Sequence, residues 1–203
     1  MLYVVKLGGS LLGSPEVMRG WLHEIAVGGG RLVVVPGGGP FADVVRMAQR
    51  KLGFDDGTAH RMALLAMEQC GLLLASLQPA LVPAGSIEAI REALRRGRVP
   101  VWMPWRAAAD AADIRESWDV TSDSLAAWLA RELGATALWL VKACPIPVQD
   151  PTALAAMGVV DASFPEFCAA ARYAVRVLGL SDVGQLTEEL ANRPFKPAPA
   201  VAP

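Results

Sequence analysis

Three short stretches combine residue types that could do phosphate chemistry. The first, VVKLGGS, sets Lys6 near the end of an apolar run and then turns through Gly8, Gly9 and Ser10. The second, VVVPGGGPFA, places Gly37, Gly38 and Gly39 between another apolar run and a helical segment. Glycine lets backbone N–H groups approach a phosphate with no Cβ in the way, and a following helix N-terminus adds partial positive charge. The third, Thr121-Ser122-Asp123-Ser124, opens a helix. Alone, that cluster reads as an N-cap, with Thr121 or Ser122 as the capping residue. Beside two phosphate-type loops, Asp123 gains a second role: it could hold Lys6 so that the ammonium points at a phosphoryl group in transfer. Lysine is scarce, with Lys6, Lys51, Lys142 and Lys196 the only four among 19 basic residues.

Familiar phosphate-binding labels fit poorly. Gly8-x4-Gly13 has P-loop glycine spacing, but Ser14-Pro15 stands where Lys-Ser/Thr is required, which excludes a P-loop. Gly37-x-Gly39-x-x-Ala42 satisfies the dinucleotide fingerprint. Its acidic partner would be Asp55 or Asp56, which precede a helix instead of ending a strand.

The elements that must position these residues alternate along the chain. Residues 2–7, 31–35, 81–83, 99–103, 136–142 and 173–178 read as strands, the first two short, β-branched and buried. Helices are expected over 15–27, 41–51, 58–78, 87–96, 122–133 and 182–192, with a turn at Asp55-Asp56-Gly57. The alternation predicts an α/β protein, a three-layer αβα sandwich with a mostly parallel central sheet, its ligands at the carboxyl edge. One domain is expected over 1–193, followed by a Pro-rich tail at 194–203 whose composition predicts disorder. Residues 104–119 are irregular, and a loop of that length in a compact domain is usually functional or mobile.

Composition narrows the function classes. The chain has 203 residues, 53% of them hydrophobic and 19% charged, with a mean hydropathy of +0.35. That excludes a disordered chain and favours a homo-oligomer. The net charge of −1 gives no global pull towards nucleic acid or an anionic membrane. The cysteines Cys70, Cys144 and Cys168 are too scattered for a disulfide framework or a CxxC site, and with only His23 and His60 a histidine-rich metal site is not expected. The start carries no secretory pattern, and the longest apolar stretch, Met62 to Leu77, is too short for a bilayer. A soluble, cytoplasmic protein is expected.

Taken in order, VVKLGGSLL, VVVPGGGPFADVVR and WDVTSDSLAAWLA resemble the amino acid kinase superfamily, which includes acetylglutamate, aspartate, uridylate and isopentenyl phosphate kinases. The resemblance covers residues 1–180. Its short length, His60-Arg61-x-Ala63 and the run Ser117 to Ser124 look most like one branch, the small kinases of methanofuran biosynthesis. Those phosphorylate [5-(aminomethyl)furan-3-yl]methyl phosphate to its diphosphate. The resemblance implies that ATP with Mg²⁺ and a small phosphorylated acceptor are the partners. It implies Lys6 on the transferring group, Gly8, Gly9 and Ser10 on the ATP phosphates, and Gly37, Gly38 and Gly39 at the acceptor end. Asp123 would organise the lysine. His60 and Arg61 would contact the acceptor, Arg115 is a further candidate for its phosphate, and Trp118 could cover its ring. The N-terminal part would serve the acceptor and the C-terminal part the nucleotide. Many relatives carry a second catalytic lysine after a late Gly-Gly-Met motif, which is missing here. Lys142 could replace it, or contact the nucleotide. Two alternatives stay open: a kinase of UMP, isopentenyl phosphate or a carboxylate, and a nucleotide-binding protein without transfer activity.

Overall fold

The computed structural model describes residues 1–192, so the Pro-rich tail lies outside the described residues. Six strands form one sheet: β1 (Tyr3–Leu7), β2 (Leu32–Pro36), β3 (Leu81–Ala84), β4 (Val99–Trp102), β5 (Ala137–Val141) and β6 (Ala174–Leu178). Their spatial order is β3-β4-β2-β1-β5-β6, and every pairing is parallel. Parallel strands buried on both faces need near-continuous apolar sequence. β1, β2 and β5 obey this, with every residue buried, and Lys6 is the one charged residue among them. In register it lies between Val35 of β2 and Leu140 of β5.

Among the described residues nine α-helices accompany the strands: α1 (Pro15–Gly28), α2 (Gly39–Leu52), α3 (Asp56–Leu77), α4 (Ile87–Arg95), α5 (Trp105–Ala108), α6 (Ser122–Leu133), α7 (Pro151–Ala156), α8 (Phe164–Cys168) and α9 (Val183–Asn192). Strand side chains alternate between the two faces. Tyr3, Val5 and Leu7 therefore pack with Met18, Trp21, Leu22 and Ile25 of α1 and Leu186 and Leu190 of α9. Val4, Val33, Val35 and Leu138 pack on the other face with Leu125 to Ala130 of α6, Leu64 and Met67 of α3, and Phe164 of α8. This is the expected αβα sandwich. Fully burying each large apolar side chain contributes about 1.5–3 kcal/mol, so both layers carry the sheet. α3 is apolar nearly all round and leaves Met62, Leu65 and Leu72 on its outer side in water, beside Val44 and Met47 of α2.

Three local expectations change. α3 starts at Asp56 instead of Thr58, because Asp55 caps it through an Oδ1 that accepts from Thr58 N at 2.8 Å. The stretch 104–119 contains a helical turn, α5, and is tied down along its length. Trp105 N donates to Glu68, Arg61 pairs with Glu116, and Arg115 reaches Ser163 and Glu166. α7 and α8, unforeseen in the sequence, are short and proline-started, and Asp150 caps α7 by accepting from Ala153 N at 2.8 Å.

The strand ends bring the two glycine loops into backbone contact. Gly37 N donates to Leu7 O at 2.8 Å and Gly8 N to Val141 O at 3.1 Å, prolonging the ladder past the strands. Gly9 then lies so close to α2 that a Cβ on it would sit 2.2 Å from Gly39 N. Gly39 itself has φ +51°, a conformation that suits glycine. Gly9→Ala should therefore destabilise the chain by about 1–3 kcal/mol through overpacking. Gly13→Ala, where nothing lies within 4 Å, should stay within about 0.5 kcal/mol of the native chain. Urea unfolding of both variants checks this, and equal stabilities would contradict it.

Candidate active site

Lys6, near the carboxyl end of β1, points to the α6 side of the sheet, where its Nζ lies 2.7 Å from Asp123 Oδ1. Lys142 follows directly on β5, held by its N–H donating to Leu178 O at 2.9 Å. Its Nζ donates to Asp123 Oδ2 at 2.5 Å. One carboxylate thus bridges two lysines, one oxygen each. Lys6 and Asp123 are buried and Lys142 is largely so, with side-chain exposures of 5%, 6% and 12% in that order. Asp123 lies in the first turn of α6, where the helix dipole also favours a negative charge.

The charges are strongly coupled. Burial pushes the Asp123 carboxyl up, but the Lys6 and Lys142 ammoniums outweigh it and hold the carboxyl below its ordinary value. Lys142 is drawn below the ordinary lysine value, first by burial and then by Lys6, with Asp123 and Asp161 opposing. Two ammonium groups against one carboxylate leave a local positive excess at the sheet edge. The sequence anticipated Asp123 beside Lys6. It left the role of Lys142 open, and the structure adds Lys142 to the same carboxylate.

Beside the first turn of α6, which carries Asp123, opens a cavity of about 610 Å³, lined by Gly9 and Ser10 from the first loop and Gly37, Gly38 and Gly39 from the second, with Lys6, Asp123 and Lys142 outside the lining. Asp43 and Arg46 of α2, His60 of α3, Trp118, and Thr121 and Ser122 at the start of α6 complete its polar side. Gly8 is absent from this lining, and its N–H is already engaged by Val141, as that of Gly37 is by Leu7. In the first turn of α2, Pro40 has no N–H and Ala42 N donates to Gly38 O at 3.1 Å, so Gly39, which lines the cavity, and Phe41 carry the N–H groups with no acceptor within the helix. Behind the second loop, the Cys70 thiol contacts Gly38 O at 3.2 Å, and burial pushes it up to about 11.

His60 is buried, and its Nε2 has no hydrogen-bond partner among the described residues. Burial pulls the imidazole below its ordinary value, against opposing effects of the Ser117 backbone and Glu116, so at neutral pH it is uncharged. Trp118 is fixed from two directions. Its Nε1 donates to Gln49 Oε1 at 2.6 Å, and the Arg46 guanidinium stacks 3.9 Å from the ring centre. Arg61 does not reach the cavity lining, being paired with Glu116 at 3.0 Å and Asp110 at 3.7 Å on the surface. Arg115 is likewise engaged elsewhere, with Ser163 and Glu166.

Sequence reasoning missed Asp43, Arg46 and Asp161. The first two stand three residues apart on a helix that begins at a glycine loop, and that spacing could have found them. Asp161 accepts from Thr121 N at 2.9 Å, Thr121 Oγ1 at 2.8 Å and Ser124 N at 3.0 Å, and also from Ser124 Oγ. Thr121 does occupy the N-cap position, but its hydroxyl donates outward and makes no cap bond itself. Among the described residues no three His, Cys, Asp or Glu side chains come together as a metal site. No described helix is long and apolar enough to cross a membrane.

This layout of parallel sheet, paired glycine loops and buried lysines has a known class. Residues 1–145 match the model of the Amino acid kinase family, and the chain belongs to that family. A curated relative, the [5-(aminomethyl)furan-3-yl]methyl phosphate kinase of Methanocaldococcus jannaschii, is 26% identical over 139 residues. That match covers 65% of this chain and spans 61% of the relative's length. That relative is of the methanofuran branch, which the sequence motifs also resemble. Solved structures share the fold. Uridylate kinase of Archaeoglobus fulgidus superposes with a TM-score of 0.67 at 19% identity, over 91% of this chain and 96% of that one. UMP kinase of Ureaplasma parvum gives 0.67 at 17%, over 93% and 92%. UMP kinase of Bacillus anthracis gives 0.68 at 15%, over 94% and 92%.

Removing the shared carboxylate would leave two buried ammonium groups facing each other. Asp123→Asn should cost about 3–5 kcal/mol of stability at pH 7. A carboxyl held below its unfolded value of 3.8 stabilises above that value, and the contribution is lost as pH falls through the folded value. The difference between native and variant should therefore narrow as the solution is acidified below about pH 4. Urea unfolding as a function of pH measures this; a difference that is constant with pH would contradict it.

Proposed function

We propose that the chain is an ATP-dependent phosphotransferase that converts [5-(aminomethyl)furan-3-yl]methyl phosphate to its diphosphate. The observation that carries this reading is the buried Lys6–Asp123–Lys142 array beside a cavity edged by two glycine loops. An oxygen of the acceptor's phosphate attacks the γ-phosphorus of ATP. The new P–O bond forms as the bond to the β–γ bridging oxygen breaks, and ADP leaves with that oxygen. The attacking oxygen is already ionised at neutral pH, so no general base is required. Catalysis then consists of holding two anions together and neutralising the charge that develops between them.

In this reading Lys6 lies against the transferring group and Lys142 supplies the second positive charge, with Asp123 fixing both. Gly9 and Ser10 serve the ATP phosphates, and the N–H groups of Gly38 and Gly39 serve the γ-phosphate and the acceptor. Gly8 and Gly37 shape these turns, their own N–H groups being used in the ladder. Mg²⁺ enters with ATP as part of the substrate, carried by phosphate oxygens and water.

The cavity's polar side suits a small acceptor bearing both charges. Arg46 is the cation in the lining and Asp43 the carboxylate, while Trp118 offers a ring face to a furan and His60 an uncharged imidazole to a phosphate oxygen. Asp43 is matched to the acceptor's ammonium group. The outer apolar residues of α2 and α3 support the expected homo-oligomer, which sedimentation would test: a monomer at micromolar concentration would remove it.

The deciding experiment incubates the purified chain with Mg·ATP and, separately, the aminomethylfuran phosphate, UMP and isopentenyl phosphate, followed by phosphorus NMR. Coupled diphosphate signals with the furan compound alone are expected. Signals only with another acceptor would discard the methanofuran assignment, and ATP binding without any product would favour a nucleotide-binding protein. Lys6→Ala should lower kcat by roughly 10²–10³, and a loss under about tenfold in a folded variant would remove Lys6 from the chemistry. Asp43→Asn should raise KM for the aminomethyl acceptor about fivefold, the scale of a solvent-exposed ion pair, and leave KM for the corresponding methyl analogue unchanged. An equal effect on both acceptors would detach Asp43 from the amine.

A further inference from the structure

We infer that Asp161 is a positioning residue for phosphoryl transfer: from the segment between α7 and α8 it fixes the first turn of α6, and with it Asp123. The kinetic part of this inference rests on the transfer reading above; its titration part does not.

Geometry carries the first half. Helix N-termini are ordinarily capped by a neighbouring side chain. Here the acceptor comes from 40 residues downstream of Thr121, and both of its carboxylate oxygens are used on α6. A local cap would leave the helix free to shift with its own loop. This distant one ties the turn that carries Asp123 to a separate part of the fold. The tie is reinforced, because Ser163 N donates to Asp119 O at 3.0 Å and Arg115 reaches Ser163 Oγ at 2.9 Å. Residues 115–124 therefore lie between the cavity and 161–166, bonded to the latter at several points. Asp123 sits inside that span, and a shift of α6 would change both of its lysine contacts together.

Charge carries the second half. The charges acting on Lys142 are those of Lys6 on β1, Asp123 on α6 and Asp161 in the α7–α8 segment, and Asp161 is held by its bonds to the same first turn of α6 that carries Asp123. The Lys6–Asp123–Lys142 array alone has one positive charge too many. Asp161 offsets part of it without touching either lysine, and its negative charge also helps push the half-buried Cys168 thiol up to about 12, after desolvation itself. Deleting the charge therefore has a definite sign. Lys142 would lose its proton at a lower pH than in the native chain.

Asp161→Asn separates the two roles from simple helix capping when it is set beside Ser124→Ala, which removes one donor and keeps the charge. For Asp161→Asn we expect kcat to fall roughly 10–100-fold, KM for ATP to change less than about threefold, and the alkaline limb of the pH–rate profile to move to lower pH. Lys142 itself is read on the substrate-free protein, by pH-dependent acylation followed by peptide mass spectrometry, and should titrate lower by the same shift. Ser124→Ala should lower Tm and leave both the limb and the titration where they are. If Asp161→Asn lowers Tm alone, with limb and titration unmoved, Asp161 is only a cap and the inference is overturned. Should Asp161→Asn fail to fold, Asp161→Glu decides: it keeps the charge and changes the reach. Native Lys142 titration with kcat reduced at least about threefold supports positioning, and native kcat overturns it. If the native chain transfers to no acceptor, the transfer reading fails, while the Lys142 titration still decides the electrostatic role of Asp161.

Discussion

Two lysines on neighbouring strands share a single buried carboxylate, and the rest of the structure is arranged around keeping that sharing intact. An ammonium group placed in a layer of valine and leucine is costly unless it is paired. Here Lys6 and Lys142 each take one oxygen of Asp123, and the carboxylate is delivered by the first turn of a helix whose dipole suits it. The parallel sheet makes this economical in chain length. β1 and β5 are direct neighbours, so residues 136 positions apart in sequence end at the same edge. The glycine loops leave from that edge too, and their backbone contacts hold the two turns against each other.

The sheet and most helices were legible in the sequence, for clear physical reasons. Strands buried on both faces must be written as short apolar runs, and the Gly-rich turns that follow them mark the carboxyl edge. Lys6 stood out because charge is rare in such a run, and Asp123 because a cap-like cluster followed two phosphate-type loops. What could not be read was anything set by a long-range partner. Lys142 was visible as a late lysine, but its contact with Asp123 depends on β5 lying beside β1. Asp161 carries no local pattern at all, since its donors lie far upstream. Arg61 drew attention beside His60, yet consecutive residues of a helix point in different directions. His60 faces the cavity and Arg61 the surface, while Arg46 comes in from the other helix.

The family sets the architecture, and this chain shows its own solution within it. By the resemblance described above, many relatives carry a second catalytic lysine after a late Gly-Gly-Met motif. Here a second ammonium, that of Lys142, sits on the residue that follows a central strand, held by its backbone bond to Leu178 and its pairing with Asp123. Preorganised charge of this kind needs no rearrangement when an anion arrives, which is the condition under which electrostatic stabilisation is largest. The other side of the cavity is formed by α2, α3 and the Trp118 loop, joined by the Trp118–Gln49 hydrogen bond.

Asp123 also has a mechanical meaning. With one oxygen committed to β1 and the other to the end of β5, the carboxylate works as a caliper set across two strands. Any change in the twist between those strands alters the gap between the two ammonium groups. A property of the entire sheet is thereby converted into a local electric field, and residues far from the cavity acquire a route by which their packing can reach it.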